Sequence, residues 1–202
     1  MPPIIAYHVV FSAYGFWLPN DPRGSGSDKV WAPNLRRFGP ATKVPDWRYV
    51  ARVPHDHQLR LSAKKELVRP PVLLTGLQAR CVAQAVAGIA ADFGIRIFAA
   101  AFMPDHVHLV IERGRHTAEQ WTGYFKRAAT RRLTNQAVHP CEASVGRRPS
   151  PWGAGGWKVF LHTPHEIART IAYVENNPER AKLPKQRWPF VTPYLAPRGR
   201  GG

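Results

Sequence analysis

The chain has 202 residues, of which 44% are apolar, so it can form one sizeable domain and is not a disordered protein. It carries 29 Lys and Arg against 13 Asp and Glu, a net charge of +16, which favours a polyanionic partner such as a nucleic acid. No run of 18 apolar residues and no leader-like N-terminus occurs, so we expect neither a membrane span nor a signal peptide. The two cysteines form no CxxC pair, and we expect a cytoplasmic protein. Seven Trp and nine Phe add surfaces on which unpaired bases can stack.

The first predicted element is a buried strand over Ile4–Phe11, rich in β-branched and aromatic residues. The region that follows, up to Pro71, is dense in Pro, Gly, Arg and Trp. We interpret residues 20–71 as an insertion with local structure near Trp47–Val53 and Ala63–Val68, because long structureless loops are unusual in compact domains. This insertion offers a place for additional contacts with nucleic acid.

Three helices and three further strands are predicted after the insertion. The strands are Ile95–Met103, His106–Glu112 and Trp157–Leu161. The helices, each with its capping box, are Gly76–Phe93 (Thr75, Gln78), Ala118–Ala137 (Thr117, Gln120) and a third that begins at Pro164 (Thr163, Glu166). Asn177 followed by Pro178 is expected to end the third helix.

The resulting order, β-α-β-β-α-β-α, begins with the six elements of the split βαβ, ferredoxin-like arrangement. The sequence therefore predicts an α+β fold with an antiparallel sheet, helices against one face, and the other face free for a ligand. We expect residues 1–184 to form this domain, with the insertion after the first strand. Residues 185–202 form a basic tail rich in Pro and Gly.

The stretch MPDHVHLVI places two histidines two residues apart in a predicted strand. Since side chains alternate between the faces of a strand, His106 and His108 point one way while Val107, Leu109 and Ile111 point towards a core. Two neutral imidazoles on one face can hold a divalent cation if a third ligand arrives. The alternative is a pair of structural or solvated histidines.

The third helix can supply that ligand. Ile167, Ile171 and Val174 define its buried stripe at 100° per residue. Tyr173 and Asn177, one turn apart, lie together along one flank of this stripe. An amide oxygen is a hard ligand suited to Mg²⁺ or Mn²⁺ beside imidazoles. The alternative for the tyrosine is a ring packed at the edge of the helix with a solvated hydroxyl.

These residues carry a resemblance to a known family. His106-Val107-His108 resembles the HUH motif of single-strand nucleases, and Tyr173 with Asn177 resembles the tyrosine and polar metal ligand of Y1 transposases. The chain resembles the IS200-like superfamily, and within it the REP-associated tyrosine transposases, by FMPDHVHLVI and AYVENNPERAKL. The likeness covers Ile4–Leu18 and Thr75–Leu183, and the insertion departs from the compact IS200 type. Asn177 stands where the insertion-sequence enzymes usually have Gln, as is common in the REP-associated group.

The resemblance implies a specific chemistry. His106, His108 and Asn177 would hold Mg²⁺ or Mn²⁺ at the scissile phosphate. Tyr173 would attack that phosphate, leaving a 5′-phosphotyrosine and a free 3′-OH that can later rejoin strands. The expected partner is single-stranded or hairpin DNA, and the protein would act in DNA transposition as a monomer or a homodimer. We expect it in the bacterial cytoplasm, associated with the nucleoid.

Other residues compete for roles in this site. Tyr124, in the second helix, is the alternative nucleophile, but it lacks an amide partner one turn on. Lys126, Arg127 and Arg131 form a basic helix surface for phosphate contacts, and Lys126 is the residue we expect nearest the cut. The alternative for that surface is a solvated helix face.

Three further residues receive structural interpretations. His55 and His57 repeat the HxH spacing among polar neighbours, so we interpret both as surface residues. Asp105 has the opposite strand parity to the histidine pair, and we interpret it as a turn residue.

Two other functions compete with a DNA-cutting transposase. A non-catalytic nucleic-acid-binding module on the same fold would need only the charge and the aromatic residues. A replication initiator or relaxase would share the chemistry, but no helicase-like or second-tyrosine region follows.

Overall fold

The computed structural model describes residues 2–21, 29–30, 32–41, 55–143 and 148–196. Its helices and strands follow the predicted order, with two short helices added in the insertion. The elements are β1 (Ala6–Ser12), a 3-10 helix (Pro33–Phe38), α1 (His57–Lys65), α2 (Gly76–Phe93), β2 (Ile97–Phe102), β3 (His106–Glu112), α3 (Ala118–Asn135), β4 (Trp157–Leu161) and α4 (Pro164–Arg180).

The four strands form one sheet in the order β2-β3-β1-β4, and each neighbouring pair is antiparallel. This is the strand order of the split βαβ arrangement, so the predicted fold class is confirmed. The central strand β1 is buried along its whole length. Its pairing with β3 places Val10 opposite His108 and Ser12 opposite His106.

The two faces of the sheet carry different helices. Against one face, α2 and α3 bury the larger core, which includes Phe11, Leu109 and Phe125. Against the other face, Ile167 and Val174 of α4 pack on the strand side chains that point away from the first core. The expectation of helices on one face holds for α2 and α3, but the second face is partly covered. The reason is that both the α4 stripe and the strand residues opposite it are apolar and are removed from water together.

Local sequence signals account for most helix boundaries. All three predicted capping boxes are present, and Gly94 ends α2 in the left-handed conformation. The predicted end of α4 was wrong, because the helix continues through Pro178 to Arg180. A proline this close to the C-terminus removes only its own hydrogen bond, and Pro178 is buried in the core.

The described part of the insertion forms a small core of its own. Leu18, Leu35, Phe38 and Ala63 are buried together. Helix α1 begins upstream of the predicted Ala63–Val68 element and overlaps its first residues, because Asp56 caps the helix by accepting a hydrogen bond from the backbone of Leu59. The predicted element at residues 47–53 lies outside the described residues.

The C-terminal segment covers the outer edge of β2. The Gln186 side chain both accepts a hydrogen bond from the Phe102 backbone and donates one to it. The Trp188 ring meets the Phe102 ring edge-on at 5.0 Å. The edge of the sheet is thereby shielded from pairing with other chains. Within the described ranges, no helix is both long enough and apolar enough to cross a membrane.

Candidate active site

The two histidines of β3 share the α4 face of the sheet. Val107, Leu109 and Ile111 lie in the core under α2 and α3, as their parity predicts. The rings of His106 and His108 meet edge-on, with centroids 4.7 Å apart. The strand therefore presents two imidazoles side by side.

Asp105 orients His106. Its Oδ1 atom lies 2.7 Å from Nδ1 of the His106 ring. A carboxylate there favours the tautomer with the proton on Nδ1, which leaves the Nε2 lone pair available to a ligand. The sequence interpretation of Asp105 as only a turn residue missed this contact.

His8 of β1 contacts Nδ1 of His108, just as Asp105 contacts Nδ1 of His106. Its Nε2 lies 3.0 Å from Nδ1 of His108, and both rings are buried. Burial lowers the pKa of His8 to about 3, and burial followed by repulsion from His106 and His8 lowers the pKa of His108. The pair is therefore neutral at physiological pH, and one ring donates to the other. When His108 donates from Nδ1, its Nε2 is also left with a lone pair.

Helix α4 brings Tyr173 to these imidazoles. The helix is held by Ile167 and Val174, both fully buried. The Tyr173 ring meets His108 edge-on at 5.7 Å between centroids and His8 at 6.1 Å. The ring predicted to carry the nucleophile thus lies beside one of the predicted ligands, His108.

Asn177 lies one turn beyond Tyr173 on α4 and is partly buried. Its Nδ2 atom is buried, with no hydrogen-bond partner in the part of the chain that the structure describes. The N and O atoms of an amide exchange by a 180° rotation, so the same position suits an oxygen that faces a cation. The described residues hold no cluster of three or more His, Cys, Asp or Glu that could bind a metal, and the predicted set instead depends on this amide.

Tyr124 lies in a different cluster. Its ring contacts Phe93, His116 and Trp121, with centroids 5.1 to 5.9 Å away. The Arg127 guanidinium lies 5.0 Å from the centre of the same ring. These contacts separate the alternative nucleophile from the histidines of β3.

The basic residues of α3 divide into two groups. Lys126 points inwards and donates to the carbonyl oxygens of Gly153 and Gly155. Burial lowers the pKa of Lys126 to about 8, so its ammonium is still mainly charged at neutral pH. Arg127 and Arg131 are exposed. The two arginines are accessible to phosphates, whereas Lys126 mainly fixes the glycine loop, residues 153–156.

The HxH pair of the insertion is exposed at the start of α1, as predicted for His55 and His57. Three neighbours of the β3 histidines were missed from sequence: His8, Asp105 and Phe16, whose ring stacks on His106 at 4.8 Å. The strand alternation of Tyr7, His8 and Val9 indicates which face His8 occupies, but only the pairing of β1 with β3 brings His8 to the site.

The chain was compared with solved structures and known protein families. One solved structure similar to this chain is a REP-associated tyrosine transposase bound to a REP hairpin, with a TM-score of 0.47 and 10% identity over 94% of this chain and 78% of that one. Another is a protein described as a transposase from Deinococcus radiodurans R1, with a TM-score of 0.41 and 15% identity over 87% and 92% of the two chains. No curated protein sequence matches.

The family model described as "Transposase IS200 like" matches residues 68–177. The matched segment is more than half of the chain. It contains both β3 histidines, Tyr173 and Asn177. The chain belongs to the IS200-like transposase family.

Proposed function

We propose that this protein cleaves and rejoins single-stranded DNA through a tyrosine nucleophile, acting at hairpin-forming sequences in DNA transposition. The observation that carries the proposal is the packing of the Tyr173 ring against His108, 5.7 Å between centroids. A phenol beside paired imidazoles is the arrangement needed to attack a phosphate held at those imidazoles.

His106, His108 and Asn177 are the residues that would hold Mg²⁺ or Mn²⁺. The donor set fits such an ion. Each ring uses Nδ1 for a contact within the protein, which leaves Nε2 for the ion, and the Asn177 amide has a buried atom without a hydrogen-bond partner among the described residues. When bound, the ion would supply Lewis-acid polarisation of the scissile phosphate. Asp105 and His8 would keep the two rings oriented towards it.

Tyr173 would perform the bond exchange. Its phenol loses a proton as the oxygen forms a bond to phosphorus, while the bond from phosphorus to the 3′ oxygen breaks and that oxygen takes up a proton. The products are a 5′-phosphotyrosine and a free 3′-OH, and the reverse attack rejoins the strand. Because the phosphotyrosine conserves the phosphodiester bond, no nucleotide cofactor is required, in agreement with the absence of a GxxxxGK[ST] motif from the sequence.

Single-stranded or hairpin DNA is the proposed partner. The net charge of +16 suits a polyanion, and Arg127 and Arg131 offer an exposed cationic surface, whereas Lys126 donates to the loop that contains Gly153 and Gly155. One structure with a similar fold is a REP-associated transposase bound to a REP hairpin. We propose the same class of DNA here, encountered in the bacterial cytoplasm at the nucleoid by a monomer or a homodimer.

A trapping assay tests the proposal. The protein is incubated with Mg²⁺ and a hairpin-bearing oligonucleotide labelled 3′ to the expected cut, and covalent adducts are resolved after denaturation. We expect an adduct that EDTA prevents, that Tyr173→Phe removes and that Tyr124→Phe retains. DNA binding with no adduct under any divalent metal would instead favour the non-catalytic binding module.

A further inference from the structure

A cleft of about 350 Å³ is lined by Phe16, the residue whose ring stacks on His106. One wall is the segment that leaves β1, Ser12–Pro19, and another is the glycine loop 153–156. The remaining wall comes from the insertion and includes Lys29, Leu35 and Leu67. Its volume falls at the lower end of the range for small-molecule sites, about 300–1,000 Å³. The glycine loop lies inside the family match at residues 68–177, whereas Ser12–Pro19 and the insertion residues up to Leu67 lie outside it.

Aromatic rings connect the cleft to the candidate active site. The Phe16 ring stacks on His106, with centroids 4.8 Å apart and planes 19° from parallel. The Trp17 ring lies 5.4 Å from the Phe16 ring. Both rings line the cleft. Because Phe16 both lines the cleft and stacks on His106, a flat ligand against Phe16 would lie within one ring of a phosphate held at His106.

The opposite wall is nearly bare backbone. Ala154 contributes only a methyl group, and Gly155 has a φ of 65°, which favours glycine. A side chain at Gly153 would meet the Ser12 hydroxyl at 2.8 Å, so the loop must pass close to β1. Lys126 fixes the loop by donating to the Gly153 and Gly155 carbonyl oxygens. The wall is thus preformed and lets a planar group approach closely.

From this placement we infer that the cleft holds an unpaired base of the DNA strand, next to the phosphate that Tyr173 attacks. The inference rests on the proposed function, because that function puts the phosphate beside His106. A mainly apolar slot with aromatic rings suits the face of a base, whereas Lys29 at its edge and the charge of +16 suit the attached backbone. The insertion, which contributes part of the wall, would then help to select the strand that is cut.

The test compares two strands of equal length and charge without divalent metal, so that no cleavage occurs. One is oligothymidine and the other is its abasic analogue. We expect the protein to bind oligothymidine more tightly by about 5- to 150-fold, the range found for stacking one base on an aromatic ring. Trp17→Ala should abolish this preference and leave abasic binding unchanged. Trp17→Phe should retain it, as should Phe160→Ala, which removes an exposed ring of β4.

A second measurement uses the unaltered protein. An oligothymidine with one 5-iododeoxyuridine is photocrosslinked, and the modified peptide is mapped. Crosslinks at Phe16 or Trp17 support the inference, and crosslinks confined to other residues contradict it. An undiminished base preference in a folded Trp17→Ala protein would likewise overturn it.

These outcomes are separable from those of the trapping assay. Loss of the covalent adduct with an intact Trp17-dependent base preference would reject the proposed cleavage and leave the base site standing. An intact adduct with no such preference would reject the base site alone. No binding to either strand would reject both.

Discussion

His8 and His108 form a buried imidazole pair, with Nε2 of His8 3.0 Å from Nδ1 of His108 and the two rings 18° from parallel. The pair joins β1 to β3 across the middle of the sheet. If His108 is a metal ligand, its Nδ1 must donate to His8, because only then does Nε2 keep a lone pair for the ion. His8 is therefore a positioning residue for the proposed metal site.

His8→Phe keeps a ring in place but removes the acceptor. We expect the affinity for Mn²⁺ to fall about 10- to 100-fold, the usual effect of losing a partner of a ligating histidine. His8→Gln supplies an amide oxygen and should recover part of the affinity. Titration calorimetry without DNA measures both variants. Unchanged Mn²⁺ affinity in a folded His8→Phe protein would show that this contact does not orient a ligand.

The same pair makes stability without metal depend on pH. The pKa of His8 is lowered from 6.5 to about 3, so the unfolded chain takes up a proton before the folded one. The contribution of His8 to the free energy of unfolding is complete above pH 6.5. It is lost as the pH falls towards about 3, at up to about 1.4 kcal/mol per pH unit. Urea unfolding in EDTA between these limits should show a shallower pH slope for His8→Phe than for the unaltered protein. Equal slopes would mean that His8 is not buried in a neutral form.

Asn177 allows a test with a closely matched variant. Asn177→Ala removes the amide, so we expect weaker Mn²⁺ binding and loss of the covalent adduct. Asn177→Gln keeps an amide oxygen on a longer side chain and should retain measurable Mn²⁺ binding. Calorimetry and the adduct assay together report the effect. If alanine binds Mn²⁺ as tightly as asparagine, the third ligand lies elsewhere.

Arg127 and Arg131 are expected to contact phosphates. Replacing either by Ala should weaken DNA binding similarly for all sequences and lower the dependence of log K on log salt by about one. Fluorescence anisotropy over a salt series measures this slope. Arg187→Ala removes an equal charge from an exposed position in the C-terminal segment and serves as the control. An identical slope in all three variants would indicate only a general charge effect.

Signals that lie close together in the sequence predicted most of the fold. The bounds of α2, β3 and β4 agree with the prediction because capping boxes and strand alternation act within a few residues. The prediction that α4 ends before Pro178 was wrong, because a proline in the last turn removes only one hydrogen bond and this one is buried. The position of α4 on the second face follows from packing between distant elements, which no local pattern encodes.

The candidate site was predictable to a similar extent. His106, His108, Tyr173 and Asn177 were named from parity, helical spacing and family resemblance. The contact of His8 with His108 joins residues 100 positions apart and required the register of β1 on β3. The inward direction of Lys126 depends on the glycine loop, which periodicity does not describe.

The role of Tyr173 as nucleophile is tested most directly by identifying the residue that becomes covalently attached to DNA. After reaction with Mg²⁺ and a hairpin-bearing oligonucleotide, the adduct is digested with protease and nuclease and mapped by mass spectrometry. We expect a nucleotide phosphate on Tyr173, in the α4 peptide. A modified Tyr124, or any other attached residue, would contradict it.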